Sequence, residues 1–141
     1  MKKSLTITFW ALVGFFLLIL GEFFIPAVKD LFEGSEFFLL PFIIFSFLGI
    51  VLIFLTLKKG IKGVLRKFLL LTGFSAAGFF IFVFLHNAFY ALGTITGHIT
   101  LLNYLTEVLH VASFIIAILV CPLGFLIGMV GVIVIAMKKR K

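Results

Sequence analysis

Charged residues are scarce in this sequence, and acidic residues are the scarcest of them. Only 12% of the 141 residues are Asp, Glu, Lys or Arg, and only five are acidic. Soluble proteins carry roughly 25% charged residues. Apolar residues make up 64% of the chain, and the mean hydropathy is +1.39. These few polar groups cannot cover this much apolar surface in water. We therefore predict an all-α integral membrane protein.

Cysteine is almost absent, and so are the familiar catalytic motifs. The single cysteine, Cys121, excludes an intramolecular disulfide framework and a cysteine-based metal motif. The sequence contains no Gly-rich phosphate loop, no nucleophile elbow and no His-Glu-x-x-His pair. Without a complete set of catalytic residues, a non-enzymatic role is favoured.

Long apolar runs dominate what the sequence does contain. Spanning the hydrocarbon core takes about 20 apolar residues in a helix. We therefore predict a single domain of four transmembrane helices, at about residues 5–28, 37–57, 68–92 and 108–137. The first run is longer than the ~7–15-residue core of a signal peptide, and no small-residue cleavage site follows it. We expect it to be retained.

The positive charges predict the orientation of these helices. If the chain crosses four times, 11 of its 12 Lys and Arg residues fall on one side and only Lys29 on the other. The 11 are Lys2, Lys3, Lys58, Lys59, Lys62, Arg66, Lys67, Lys138, Lys139, Arg140 and Lys141. The positive-inside rule then places both termini in the cytoplasm and the protein in the cell membrane. We therefore interpret the net charge of +7 as a signal of membrane orientation. The basic residues could also contact anionic lipid headgroups, and we predict no nucleic-acid partner.

The stretch before the fourth span is amphipathic. Its polar residues recur every three or four positions, which places them on one helical face. They are Thr100, Asn103, Glu107, His110 and Ser113. We predict an outer-side amphipathic helix from about Thr100, either lying in the membrane interface or extending the fourth span. Pro122 is expected to kink that span.

A polar cluster is predicted near the outer end of the third span. At about 1.5 Å per residue, Glu22 lies ~25 Å and His86 ~27 Å from the cytoplasmic side, so the two are matched in depth. Tyr90 shares the helical face of His86, and Asn87 lies about 100° away. The cluster is either a binding site for an ion, a proton or a small ligand, or a hydrogen bond between helices that fixes their packing.

A second candidate is the pair Glu107-x-x-His110. This spacing occurs in carboxylate metal sites of four-helix bundles, but those sites need further acidic residues. His110 is expected ~40 Å from the cytoplasmic side, well beyond His86. That mismatch counts against a haem with these two histidines as axial ligands. A solvated polar face is the simpler interpretation, and we predict no cofactor.

Small residues in the fourth span indicate close helix packing. Gly124, Gly128 and Gly131 recur at helical spacing, which lets two backbones approach within the chain or between copies. The leading functional hypothesis is a non-enzymatic accessory or assembly subunit, in a homo-oligomer or a larger membrane complex. The alternative is a metal- or haem-binding redox or transport component that uses the outer polar cluster.

Overall fold

The computed structural model describes residues 3–32 and 36–138. These residues form six α-helices and no strand. The helices are α1 (Lys3–Phe24), α2 (Pro26–Phe32), α3 (Leu40–Lys58), α4 (Gly63–Thr96), α5 (Thr100–Ile115) and α6 (Cys121–Lys138). A 3-10 turn, Glu36–Leu39, precedes α3, and a π-helical turn, Ile116–Val120, joins α5 to α6. The all-helical prediction is confirmed for the described residues.

Within residues 3–32 and 36–138, four helical segments are long and apolar enough to cross a membrane, as predicted. They are α1, α3, α4 and the continuous rod formed by α5, the π turn and α6. The first ends at Phe24 rather than near residue 28. Pro26 is the cause, because it cannot continue a helix from the preceding turn but is well suited to begin one. The chain leaves the helix at Ile25, and α2 starts at Pro26.

The predicted amphipathic helix begins at Thr100 and continues into the fourth span. The structure therefore shows α5 as an extension of the fourth apolar segment and not as a separate helix. Just before Pro122, where a kink is expected, the helix contains the π turn Ile116–Val120. The amide of Cys121 donates to the carbonyl of Ile116, five residues back. Pro122 has no amide hydrogen to donate, so the regular α-helical ladder is broken here.

The central helix of the bundle is α4, which packs against α3 on one side and against α5 and α6 on the other. The contact with α3 is a close approach of two backbones. A Cβ atom at Gly49 would lie 2.7 Å from the amide nitrogen of Ala77 and 2.8 Å from the carbonyl oxygen of Gly73. Nearby, the Ser46 hydroxyl donates a 2.9 Å hydrogen bond to the carbonyl of Ala77. These contacts fix the relative height of α3 and α4.

The three glycines of the fourth span lie against α4 of the same chain. A Cβ at Gly128 would lie 2.8 Å from the amide nitrogen of Thr72, and one at Gly131 would collide with the Phe68 ring. Gly124 faces the hydroxyl of Ser75. The antiparallel helices α4 and α6 can therefore approach closely along this stripe.

Phenylalanine rings close the bundle between its first and last helices. The Phe125 ring lies 4.6 Å from that of Phe16 and 5.0 Å from that of Phe45, centroid to centroid. All three side chains are buried. Since α1 otherwise packs mainly on α3, these rings are the bridge from α1 to α6.

The outer part of α4 extends beyond the start of α3. The Ser46–Ala77 bond sets the register of α3 against α4, so the start of α3 at Leu40 is level with about residue 83 of α4. The remaining residues of α4, to Thr96, extend roughly 20 Å further. Among the described helices, α5 is the one that runs beside them for this length. We call α4 residues 84–96 together with α5 the arm.

Candidate functional site

Two imidazole rings face one another at the base of the arm. The rings of His86 on α4 and His110 on α5 are stacked, with centroids 4.0 Å apart and planes inclined by 24°. Both side chains are half-buried. They are brought together because the short connection between α4 and α5 makes the two helices antiparallel neighbours.

Each histidine is also hydrogen-bonded to the backbone of the other. Nδ1 of His86 lies 3.2 Å from the carbonyl oxygen of His110, and Nδ1 of His110 lies 3.2 Å from the carbonyl oxygen of His86. A carbonyl oxygen only accepts, so each Nδ1 carries the proton and donates it. In the neutral rings, Nε2 is then the unprotonated nitrogen. The two bonds hold α4 and α5 together reciprocally.

The expectation that His110 lies well beyond His86 is wrong. The depth of His86 was counted from Phe68 and that of His110 from Met137, as if these two residues lay at the same level. The structure instead places Phe68 opposite Gly131, six residues before Met137. Six residues of helix are about 9 Å, which accounts for most of the expected mismatch.

Two further aromatic rings continue the stack. The Tyr90 ring lies 5.5 Å from that of His110, and the Phe114 ring lies 5.2 Å from that of His86. The four rings therefore alternate between α4 and α5, and we call them the ring ladder. Sequence reasoning missed Phe114, although it follows His110 by four residues and so shares its helical face.

Asn87 does not take part in the ring ladder. Its side chain is exposed, and the amide donates a 2.9 Å hydrogen bond to the carbonyl of Val83 in its own helix. Its predicted position, off the face of His86, accounts for this difference.

Glu22 is buried, but not beside His86. It is 3% exposed, and neither carboxylate oxygen has a hydrogen-bond partner among the described residues. The predicted Glu22–His86 pair is therefore not formed. The two residues are kept apart because α1 packs on α3, whereas His86 faces α5. A buried polar group without a partner is costly, which makes Glu22 an unusual feature of α1.

Glu107 and His110 line one small pocket, as their spacing suggested. The pocket has a volume of about 190 Å³ and lies between α4 and α5. Tyr90, Asn103 and Thr94 add polar groups to its wall. Glu107 itself is exposed. The pocket is thus an open recess of mixed polarity in the side of the arm.

The arrangement does not fit a shared metal ion on the two histidines. Imidazole binds a metal along the plane of its ring, with a distance of about 2.0–2.1 Å for zinc. The planes of His86 and His110 lie nearly parallel, so their lone pairs run side by side and do not converge on one ion. For the same reason they cannot be the two axial ligands of one haem. Within residues 3–32 and 36–138, no three His, Cys, Asp or Glu side chains are grouped to hold a metal.

Comparison with protein-family models, with curated proteins and with solved structures found no match. The function therefore has to be inferred from the residues of this chain and their geometry.

Proposed function

We propose that the protein is a non-enzymatic accessory or assembly subunit of a membrane complex, and that it contacts its partner through the arm. The observation that carries this proposal is the unpartnered apolar surface of the arm. Leu101 is 76% exposed, Tyr104 71% and Ile95 71%, and all three lie beyond the level at which α3 begins.

The lengths of the helices support a position for the arm outside the hydrocarbon core. With 22 and 19 residues, α1 and α3 are about 33 and 28 Å long, close to the ~30 Å core. The arm extends about 20 Å past them, whereas the headgroup layer adds only about 5–7 Å on each side. Its tip would then face water, where exposed apolar patches are typical of protein–protein contacts.

The arm is also nearly without charge. Between Phe68 and Met137 the sequence has no Lys or Arg, and Glu107 is its one acidic residue. A hairpin with so few charged residues would be poorly solvated if its tip faced water without a partner. The ring ladder joins its helices through stacked aromatic side chains, which favours a preformed surface for a partner.

The basic residues favour a cytoplasmic position for the opposite end of the bundle. α1 and α4 begin there, and α3 and α6 end there, because neighbouring spans are antiparallel. Seven of the 11 basic residues are described and lie at this end: Lys3, Lys58, Lys59, Lys62, Arg66, Lys67 and Lys138. Lys2, Lys139, Arg140 and Lys141 lie outside the described residues. We propose that the arm is on the outer side of the cell membrane, with both termini in the cytoplasm.

Site-specific photo-crosslinking in native membranes tests this proposal. A photoreactive amino acid at Leu101 is expected to give a discrete protein adduct, whose mass separates a second copy from a different subunit. The matched control is Leu17, which is 60% exposed and lies midway along α1. A photoreactive amino acid there is expected to label lipid. Tyr104→Ala should weaken the Leu101 adduct. Labelling of lipid alone at both positions would contradict the proposal.

A further inference from the structure

The stacked histidines are the polar link between the two helices of the arm. The hydrogen bonds from Nδ1 of His86 and of His110 cross between α4 and α5. The hydroxyls of Thr94, Thr96 and Thr106 instead donate to carbonyls of their own helices. In the described part of the chain, the histidine pair thus supplies the side-chain hydrogen bonds that join α4 to α5.

Histidine is also the side chain whose charge changes near neutral pH, between about pH 5 and 8. In this pair the added proton goes to Nε2, because each Nδ1 already carries a proton that it donates to a carbonyl. Both side chains are half-buried, and His110 lines the open recess between α4 and α5. The pair is therefore accessible to protons from water.

One added proton is compatible with the stacked pair, whereas two oppose it. A single imidazolium is attracted by the aromatic faces beside it. With a proton on each Nε2, two positive rings lie only 4.0 Å apart, centroid to centroid. At an effective dielectric constant of about 20, such a repulsion is several-fold stronger than a cation–π contact at an exposed site. The flanking rings of Phe114 and Tyr90 therefore do not offset it.

The helices packed on α4 and α5 bring no charge to the pair. Those elements are α3, α6 and the π turn, and the sequence has no Asp, Glu, Lys, Arg or His at residues 40–57 or 116–137. The Cys121 sulfur would lie 3.3 Å from a Cβ at Gly78, which is eight residues, or about 12 Å of helix, before His86. Glu22 on α1 is not beside the pair.

On α4 and α5 themselves, the titratable neighbours are Tyr90 and Glu107. A tyrosine is uncharged in this pH range. Glu107 lines the same recess as His110, so its negative charge favours the first proton on His110. It is exposed, and one carboxylate cannot neutralise two imidazolium rings.

We propose that the His86–His110 pair is a pH-sensitive switch, which holds the arm closed at neutral pH and opens it when both rings are protonated. Once apart, the two charged rings are hydrated and no longer repel each other at close range. The open arm therefore binds two protons more readily than the closed arm. The form that binds more protons gains population as the pH falls, so mild acid favours opening.

Opening is a property of this chain alone and goes beyond the proposed contact with a partner. Release of a partner on acidification is a consequence that rests on the proposed function. The switch and the partner contact can therefore be tested separately, the first on the purified chain and the second by the Leu101 crosslink in membranes.

Amide hydrogen exchange of the full chain in detergent tests the switch. Chemical exchange itself depends on pH, so the quantity compared is protection, which is the rate of an unfolded peptide at the same pH divided by the measured rate. From about pH 7.5 to about pH 5.5, we expect protection in residues 88–108 to fall about tenfold. Protection in α1 and α3 should stay within about twofold, because these helices do not depend on the pair.

Variants that lack one of the two charges separate the switch from a general effect of acid. His110→Gln leaves one titratable ring in the pair, so protection of the arm should change by no more than about twofold between the two pH values. His98→Gln is the matched control, since His98 is exposed in the connection between α4 and α5. It removes a histidine outside the pair and should keep the full wild-type change.

His110→Phe keeps an aromatic ring in the stack but binds no proton. It keeps the test decisive if His110→Gln has already lost protection of the arm at neutral pH, and circular dichroism reports whether each variant is folded. Wild-type protection that is unchanged in mild acid would overturn the proposal. So would a wild-type response in folded His110→Phe, or loss of the response in His98→Gln.

Discussion

His86 and His110 form a reciprocal pair, in which each imidazole stacks on the other and donates to the backbone carbonyl of the other residue. Residue 98 lies midway between them in the sequence, in the connection from α4 to α5. Residues equally far from such a connection lie opposite one another in an antiparallel hairpin. The pair is therefore a consequence of the hairpin, and it joins the arm's helices at the level where α3 begins.

Removing either histidine is expected to loosen the arm. His86→Ala and His110→Ala each remove the stack and the one hydrogen bond that the lost ring donates, whereas the backbone carbonyl that accepts from the other histidine remains. With a net worth of roughly 1 kcal/mol per hydrogen bond, we expect each variant to lose about 1–2 kcal/mol of local stability. Amide hydrogen exchange should show faster exchange in residues 88–108 and no change in α1 or α3.

The double variant separates a pair from two independent side chains. If the rings act on each other, the combined loss is smaller than the sum of the single losses by about 0.5–2 kcal/mol. Asn87→Ala is the control, because Asn87 is adjacent but bonds only to its own helix. Additive losses, or an equal effect of Asn87→Ala, would show that the pair does not hold the arm.

Two glycines provide a sharp comparison for helix packing. Gly49→Ala brings a methyl group within 2.7 Å of the α4 backbone, so α3 and α4 must move apart. We expect a loss of about 1–3 kcal/mol of stability in detergent. Gly14→Ala is the matched control, since nothing lies within 4 Å of its added Cβ, and alanine is favoured over glycine within a helix by about 0.5–1 kcal/mol. Equal effects of the two substitutions would contradict the close approach at Gly49.

The sequence allowed prediction of the number of long apolar helical segments and of the helix start at Thr100, because both depend on patterns local to a segment. The relative height of His86 and His110 was not predictable in the same way. It depends on which residues of α4 and α6 lie opposite one another, and the Phe68–Gly131 contact is decided by packing. The partner of Glu22 depended on which helix α1 packs against, which hydropathy does not report.

Glu22 is expected to cost the bundle stability. Its carboxylate is 3% exposed and has no hydrogen-bond partner among the described residues. Replacing a buried, unpaired polar group with an apolar one of similar size should remove a penalty of about 1–3 kcal/mol. Glu22→Leu is therefore expected to raise the unfolding temperature in detergent, whereas Glu107→Leu on the exposed face of α5 should change it little. Destabilisation by Glu22→Leu would mean that the carboxyl has a partner beyond these residues.

The orientation of the bundle can be measured with single cysteines in a Cys121→Ala background. Gly34→Cys lies between α2 and α3 in the sequence, and Gly60→Cys lies in the exposed connection between α3 and α4. Nothing lies within 4 Å of a Cβ at Gly60, although its φ of 62° makes a side chain there somewhat strained. An impermeant maleimide added to intact cells should label Gly34→Cys. Gly60→Cys should react only after the membrane is permeabilised, because the five basic residues that flank it favour the cytoplasmic side that we propose for this end of the bundle. The reverse pattern of labelling would place the arm in the cytoplasm and overturn the proposed topology.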